Sequence, residues 1–180
     1  VSDNVGTQGF THGLGIGDVN GDGRMDIIEA KRWWEAPAKP ESPSSKPQAS
    51  SWISHTYNLT GDGAQMFAYD FNGDGRNDIA SSLQAHGYGV AWFESKAADP
   101  TLGSQAAWQK HLIVGKEPWE NEYGVRFSQP HAQALSDVDG DGIKDIITGN
   151  RYFAHNGRGP NELDPRVLYW FQTKRIKNGK

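Results

Sequence analysis

One short pattern occurs three times and constrains this chain more than any other feature: DVNGDGRMDII from Asp18, DFNGDGRNDIA from Asp70 and DVDGDGIKDII from Asp137. Each copy has Asp or Asn at positions 1, 3 and 5, Gly at 4 and 6, Asp at 9 and Ile at 10. Carboxylates packed this closely repel one another and build no core. They suit a hard cation. Oxygens at 1, 3 and 5, a backbone carbonyl at 7 and a carboxylate at 9 match the six to eight oxygen ligands, at ~2.3–2.6 Å, that calcium takes. Gly at position 6 permits the tight turn that brings position 9 back toward the ion. A solvated turn explains one such stretch, since Asp, Asn and Gly are common turn residues. It does not explain three in the same register.

The EF-hand is the rival reading, and it needs Glu at position 12. Glu29 stands there in the first copy, but Ser81 and Thr148 in the others. EF-hand loops also join two amphipathic helices. Here the preceding segments, HGLGIGD, QMFAYD and HAQALSD, are short, Gly- and Ala-rich and strand-like. The segments that follow are too brief for helices. Each loop therefore reads as the tip of a β-hairpin.

More than the loop repeats. The loops begin 52 and 67 residues apart. Downstream of each lies an aromatic strand, RWWEAP (32–37), VAWFES (90–95) or VLYWFQ (167–172), and after two of these come WISHTYNL (52–59) and WQKHLIVG (108–115). Each unit thus reads as a first strand, a hairpin, a second strand, an aromatic third strand and a Trp-His fourth strand. Four short antiparallel strands at this period match a β-propeller blade. The repeats span approximately 10–59, 62–115 and 129–180, the last incomplete. Closed propellers have roughly 4–8 blades, so this all-β chain is expected to supply about three blades of a larger ring of roughly six to eight. Other segments or other copies would supply the rest. Two Pro/Ser- or Ala-rich stretches, APAKPESPSSKPQAS and SKAADPTLGSQAA, read as surface insertions between third and fourth strands.

The tripled core D-x-[DN]-G-D-G-x-x-D-[IL], set in this strand repeat, resembles the FG-GAP/VCBS repeat family over nearly the whole chain. The resemblance implies a calcium-studded propeller of the kind found in integrin α-subunit heads and in many exported bacterial proteins. No clear Phe-Gly pair precedes the loops, so the bacterial VCBS-like branch is the closer likeness. The long segment between second and third strands of the third repeat departs from a minimal blade. By the family's motif, three calcium sites would be held by Asp18, Asn20, Asp22, the Arg24 carbonyl and Asp26; by Asp70, Asn72, Asp74, the Arg76 carbonyl and Asp78; and by Asp137, Asp139, Asp141, the Ile143 carbonyl and Asp145.

Composition narrows the function classes. There is no cysteine and hence no disulfide framework, so calcium is the expected staple for a secreted protein. No apolar run approaches the ~18–20 residues of a membrane span. Ten of the 22 acids lie in the loops. Three divalent ions would add +6 and bring the formal −4 to about +2, so net charge points to no nucleic-acid partner. An extracellular, periplasmic or cell-surface location is expected, with any signal peptide outside this sequence.

Alternating strand directions put the loops at one end of each unit. The other end collects His12 and His131, each six residues before its loop's first Asp. It also collects His86 and His155 between second and third strands, and Trp119, Tyr123, Arg126 and Arg158. This set suits a polar ligand, since Trp and Tyr stack on sugar rings and Arg grips carboxylates. His55, His111 and the third-strand aromatics are expected to pack blades. No nucleophile elbow, HExxH or phosphate loop is present. A calcium-binding module recognising a glycan or a protein is therefore favoured over an enzyme. The alternatives are part of a propeller enzyme acting on polysaccharide or sugar, as a lyase or quinone-dependent oxidase, and an architectural spacer.

Overall fold

Each loop motif closes an antiparallel hairpin with the same pairing. The residue before position 1 faces position 9 in every unit: Gly17 opposite Asp26, Tyr69 opposite Asp78 and Ser136 opposite Asp145. A computed structural model of the chain describes residues 4, 6, 12–38, 52–96, 107–153 and 155–175. Among them the protein is all-β with almost no helix, the named exception being a single 3-10 turn at Pro118–Glu120. The first unit holds β1 (Leu14–Gly17), β2 (Asp26–Glu29), β3 (Arg32–Glu35) and β4 (Ile53–Thr56). The second holds β5 (Gln65–Tyr69), β6 (Asp78–Ser82), β7 (Val90–Ser95) and β8 (Trp108–Val114). The third holds β9 (Gln133–Ser136), β10 (Asp145–Gly149) and β11 (Leu168–Phe171). All eleven lie within the segments expected from the sequence. Most of both insertions, at 39–51 and 97–106, falls outside the described residues, as do 176–180.

The first two meanders join through their first strands into one curled eight-stranded sheet, ordered β4-β3-β2-β1-β5-β6-β7-β8. The third forms a separate sheet, β11-β10-β9. β1 and β5 run parallel, with Gly15 opposite Met66, and the Gln65 side chain accepts the Gln133 N–H at 2.9 Å. The first strands of all three units thus gather side by side.

The period-2 alternation of strand side chains builds the core on both faces of the second unit. Ile79, Ala91 and Phe93 point one way and join Ile28, Trp33, Tyr57, Met66 and Trp108. Ala80 and Val90 point the other way, with Trp92, toward Phe71, Val114, Phe127 and Ile146. The second meander therefore buries apolar side chains against a neighbouring unit on each side. The third-strand aromatics are core residues in units one and two, where Trp33, Trp34 and Phe93 are buried. Trp170 in the third is 47% exposed.

The seam between β1 and β5 depends on glycine. A Cβ at Gly15 would run into the Met66 carbonyl, and one at Gly17 would meet the Ala68 methyl at 2.7 Å. Overpacking of this kind costs about 1–3 kcal/mol, and ~1 kcal/mol moves a melt by about 2–4 °C at this size. Gly15→Ala should therefore lower the melting temperature by several degrees, read by circular dichroism. An unchanged melt would show that the seam is not close-packed.

Candidate metal loops and an imidazole cluster at the opposite end

The three loops repeat a hydrogen-bond pattern as well as a sequence. The position 1 carboxylate folds over the turn and accepts backbone N–H groups from positions 4 and 6. These are Gly21 and Gly23 onto Asp18 at 2.7 and 2.8 Å, Gly73 and Gly75 onto Asp70 at 2.7 and 3.1 Å, and Gly140 and Gly142 onto Asp137 at 2.7 and 3.0 Å. All six glycines have φ between 79° and 86°, the left-handed region where a side chain is strained. Position 5 accepts the N–H of position 7: Arg24 onto Asp22 at 2.9 Å, Arg76 onto Asp74 at 2.9 Å and Ile143 onto Asp141 at 2.8 Å.

The position 9 aspartates are buried and hold each hairpin to the end of its third strand. Asp26 accepts the Val19 and Ala36 N–H groups at 2.8 and 2.9 Å. Asp78 accepts those of Phe71 and Ser95 at 3.0 and 2.9 Å, and Asp145 those of Val138 and Thr173 at 3.1 and 2.8 Å. Burial pushes the Asp26 and Asp78 carboxyls up to about 6 against these hydrogen bonds, and the like charges of Asp22 with Asp18, and of Asp74 with Asp70, add to the rise.

This donor set fits a hard cation. Carboxylate oxygens of Asp137, Asp139 and Asp145 lie within 4.8 Å of one another. Each carboxylate oxygen has a second lone pair for a metal beside its N–H bond. A divalent ion would offset the burial and repulsion that hold Asp26 and Asp78 half-protonated near pH 6. The first two loops add a feature that the sequence did not signal. The Arg24 and Arg76 side chains pair with Asp22 and Asp74, and their Nε–H groups donate to the Ala36 and Ser95 carbonyls at 2.9 and 3.0 Å. Position 7 there carries a clamp as well as a carbonyl. In the third loop Ile143 has no such group, and the Gln172 amide reaches Asp139 instead.

The other end gathers four imidazoles. Ring centroids are 4.5 Å apart for His12–His86, 4.9 Å for His12–His131, 5.2 Å for His86–His131 and 4.6 Å for His86–His155. Burial, then the neighbouring His12 and His155, hold His86 below the ordinary histidine value. Burial, then Arg151 and His12, do the same for His131. The remaining residues expected at this end lie around the cluster or away from it. Arg126 pairs with Asp164 at 3.3 Å, and the Arg158 N–H donates to the His155 carbonyl at 3.2 Å. Trp119 is 79% exposed on the 3-10 turn. Tyr123 lines a groove between the second and third units with Phe71, Trp92, Phe171 and Arg175.

Two residues unnoticed in the sequence organise the cluster. Gln129 is buried at φ 57°, and Glu162 is a buried carboxylate that accepts from His155 Nδ1 and from the His155 and Gly157 backbone N–H groups. Neither sits in a motif. His55 and His111 lie elsewhere, each stacked on its cross-strand tryptophan. His55 is 4.3 Å from Trp33 and bonded to Glu35, and His111 is 4.1 Å from Trp92 and bonded to Glu94.

No protein-family model and no curated protein matches the chain.

The two kinds of loop aspartate should separate by mutation. Asp26→Ala strands two backbone donors, each costing about 1–3 kcal/mol, so the metal-free protein should melt at least ~5 °C lower. Asp22→Ala removes an exposed group and should shift that melt by no more than ~1–2 °C. Equal effects of the two substitutions on the metal-free melt would contradict the assignment of Asp26 as the structural bracket.

Proposed function

We propose that this chain is a calcium-binding stretch of an exported β-propeller of the FG-GAP/VCBS type, and that it serves as a module recognising a carbohydrate or protein ligand. One observation carries the reading. Three loops far apart in sequence share a ligand-type pattern, a glycine conformation and a hydrogen-bond register, and three ordinary turns have no reason to share all of these. The two four-stranded meanders, the three-stranded third unit and the gathered first strands support blades around a common axis. The ligand surface is assigned to the end opposite the loops, where imidazoles and Arg151 converge. In this reading Asp18, Asn20, Asp22 and Asp26 hold one ion, with their counterparts in the other loops. Calcium would supply positive charge that lets the buried Asp26 and Asp78 carboxylates ionise. It would tie hairpin to strand where there is no disulfide.

Calorimetric titration of calcium into the chelator-treated chain should give three equivalents. Asp22→Ala, Asp74→Ala and Asp141→Ala should each remove one. Calcium at a hundredfold excess over Kd stabilises by about 2.7 kcal/mol per site, so chelator should lower the melt well beyond its ionic-strength effect. No stoichiometry near three, with a melt indifferent to chelator, would overturn the proposal.

A further inference from the structure

The imidazole cluster has the makings of a site of different chemistry. A ring nitrogen from each of His12, His86 and His131 lies within 4.8 Å of the other two. His86 Nε2 is buried with no hydrogen-bond partner. An unsatisfied buried polar atom in a native fold calls for an explanation, and an unfilled ion site is a standard one. Imidazole nitrogen is a poor ligand for calcium, which takes oxygen, and a good one for zinc, copper, nickel or iron. We propose that His12, His86 and His131 bind a divalent transition-metal ion of the zinc class, leaving one coordination position open to an oxygen ligand.

The backbone holds these residues in place from both sides. The Asp62 carbonyl accepts the His12 and Gly13 N–H groups at 3.0 and 2.6 Å, and the Asp62 carboxylate accepts the N–H of Ala85, next to His86, at 3.0 Å. Gln129 makes the second tie. Its side-chain amide donates to the His86 carbonyl at 3.0 Å, its N–H to the Gly87 carbonyl at 2.8 Å, and its carbonyl accepts the His131 N–H at 2.7 Å. Asp62 thus locks His12 to His86, and Gln129 locks His86 to His131. A non-glycine residue at φ 57° costs free energy, and such strain collects at sites whose surroundings over-determine it. Nitrogens around tetrahedral zinc, bound at ~2.0–2.1 Å, stand about 3.3 Å apart. The three nitrogens, each within 4.8 Å of the other two, would have to close by up to about 1.5 Å to reach that spacing.

Three protein nitrogens with an open position make the pattern of zinc sites that exchange ligands, whereas structural sites close with four. The neighbours suit an anionic oxygen at the open position. Arg151 places its charge near His86 and His131, and its N–H is bonded to the Gln129 carbonyl at 3.0 Å. His155 stands beside His86 with Nδ1 held by the Glu162 carboxylate. That bond leaves its Nε2 to meet a bound water or ligand, as outer-shell carboxylates do for histidines in metal sites. The ligand class is therefore an anionic oxygen such as a carboxylate. The metal site itself stands whether or not the loops bind calcium.

The test is titration of zinc chloride, and of cobalt chloride as a coloured probe, into the complete tag-free chain with and without saturating calcium. The expected result is one tight equivalent in both conditions, with the visible absorption of low-coordinate cobalt. His12→Ala, at an exposed position, and His131→Gln should each weaken uptake by about a hundredfold or more, beyond the 10–100-fold loss seen for outer-shell partners. Far-ultraviolet circular dichroism and calcium stoichiometry should not change. Asp22→Ala should leave zinc uptake intact. Absence of the equivalent, undiminished uptake in both histidine variants, or its loss in the loop variant would overturn the proposal. A failed calcium titration with zinc uptake retained would remove the calcium reading and leave this one standing.

Discussion

Each unit is organised around one buried carboxylate. Asp26, Asp78 and Asp145 each accept one N–H from the loop and one from a residue at or just past the end of the third strand. The position 7 arginines of the first two loops and Gln172 in the third add side-chain ties between hairpin and third strand, but the buried carboxylate is the tie that all three units share, and it helps to set where the third strand stops. The third strand carries the aromatics that pack unit against unit. Trp33 and Phe93 meet in one core cluster, and Trp92 packs against the other. Loss of the carboxylate therefore reaches past its own loop into the contact between units.

The hairpins are also linked to one another. The Asn77 amide donates to the Asp18 carbonyl at 2.6 Å, the Lys144 N–H to the Tyr69 hydroxyl at 3.1 Å, and Arg175 to the Asp70 carbonyl. Fixing the units at that end fixes the strands that run away from it, and their far ends carry the histidines. Oxygen donors thus collect at one end and nitrogen donors at the other. Hard cations prefer the first and borderline ones the second, so the two kinds of proposed site would not compete for the same ion.

Much of this was legible in the sequence because its signals are local. The glycines at positions 4 and 6 dictate left-handed turns, and the alternation in QMFAY and VAWFES dictates strands with two faces. Strand direction alone placed His12, His86, His131 and His155 at one end. Their contact was not legible, since it depends on Asp62 and Gln129, ordinary residues acting through main-chain bonds across the fold. The Arg24 and Arg76 clamps were hidden for a related reason. At position 7 the motif specifies a carbonyl, and any side chain satisfies it. Trp119 and Tyr123 were grouped with the histidines by their place between fourth and first strands, but that segment is long enough to hold a 3-10 turn and to put Tyr123 in the groove beside Trp92.

We propose that three loops of one geometry hold three ions of one kind. The most direct test is a crystal structure of the chain grown with calcium, with anomalous diffraction measured at a wavelength where calcium scatters strongly. Three anomalous peaks are expected, one in each loop, each among the carboxylates of positions 1, 5 and 9 at ~2.3–2.6 Å. Loops holding only water, with no anomalous density above the solvent, would contradict it.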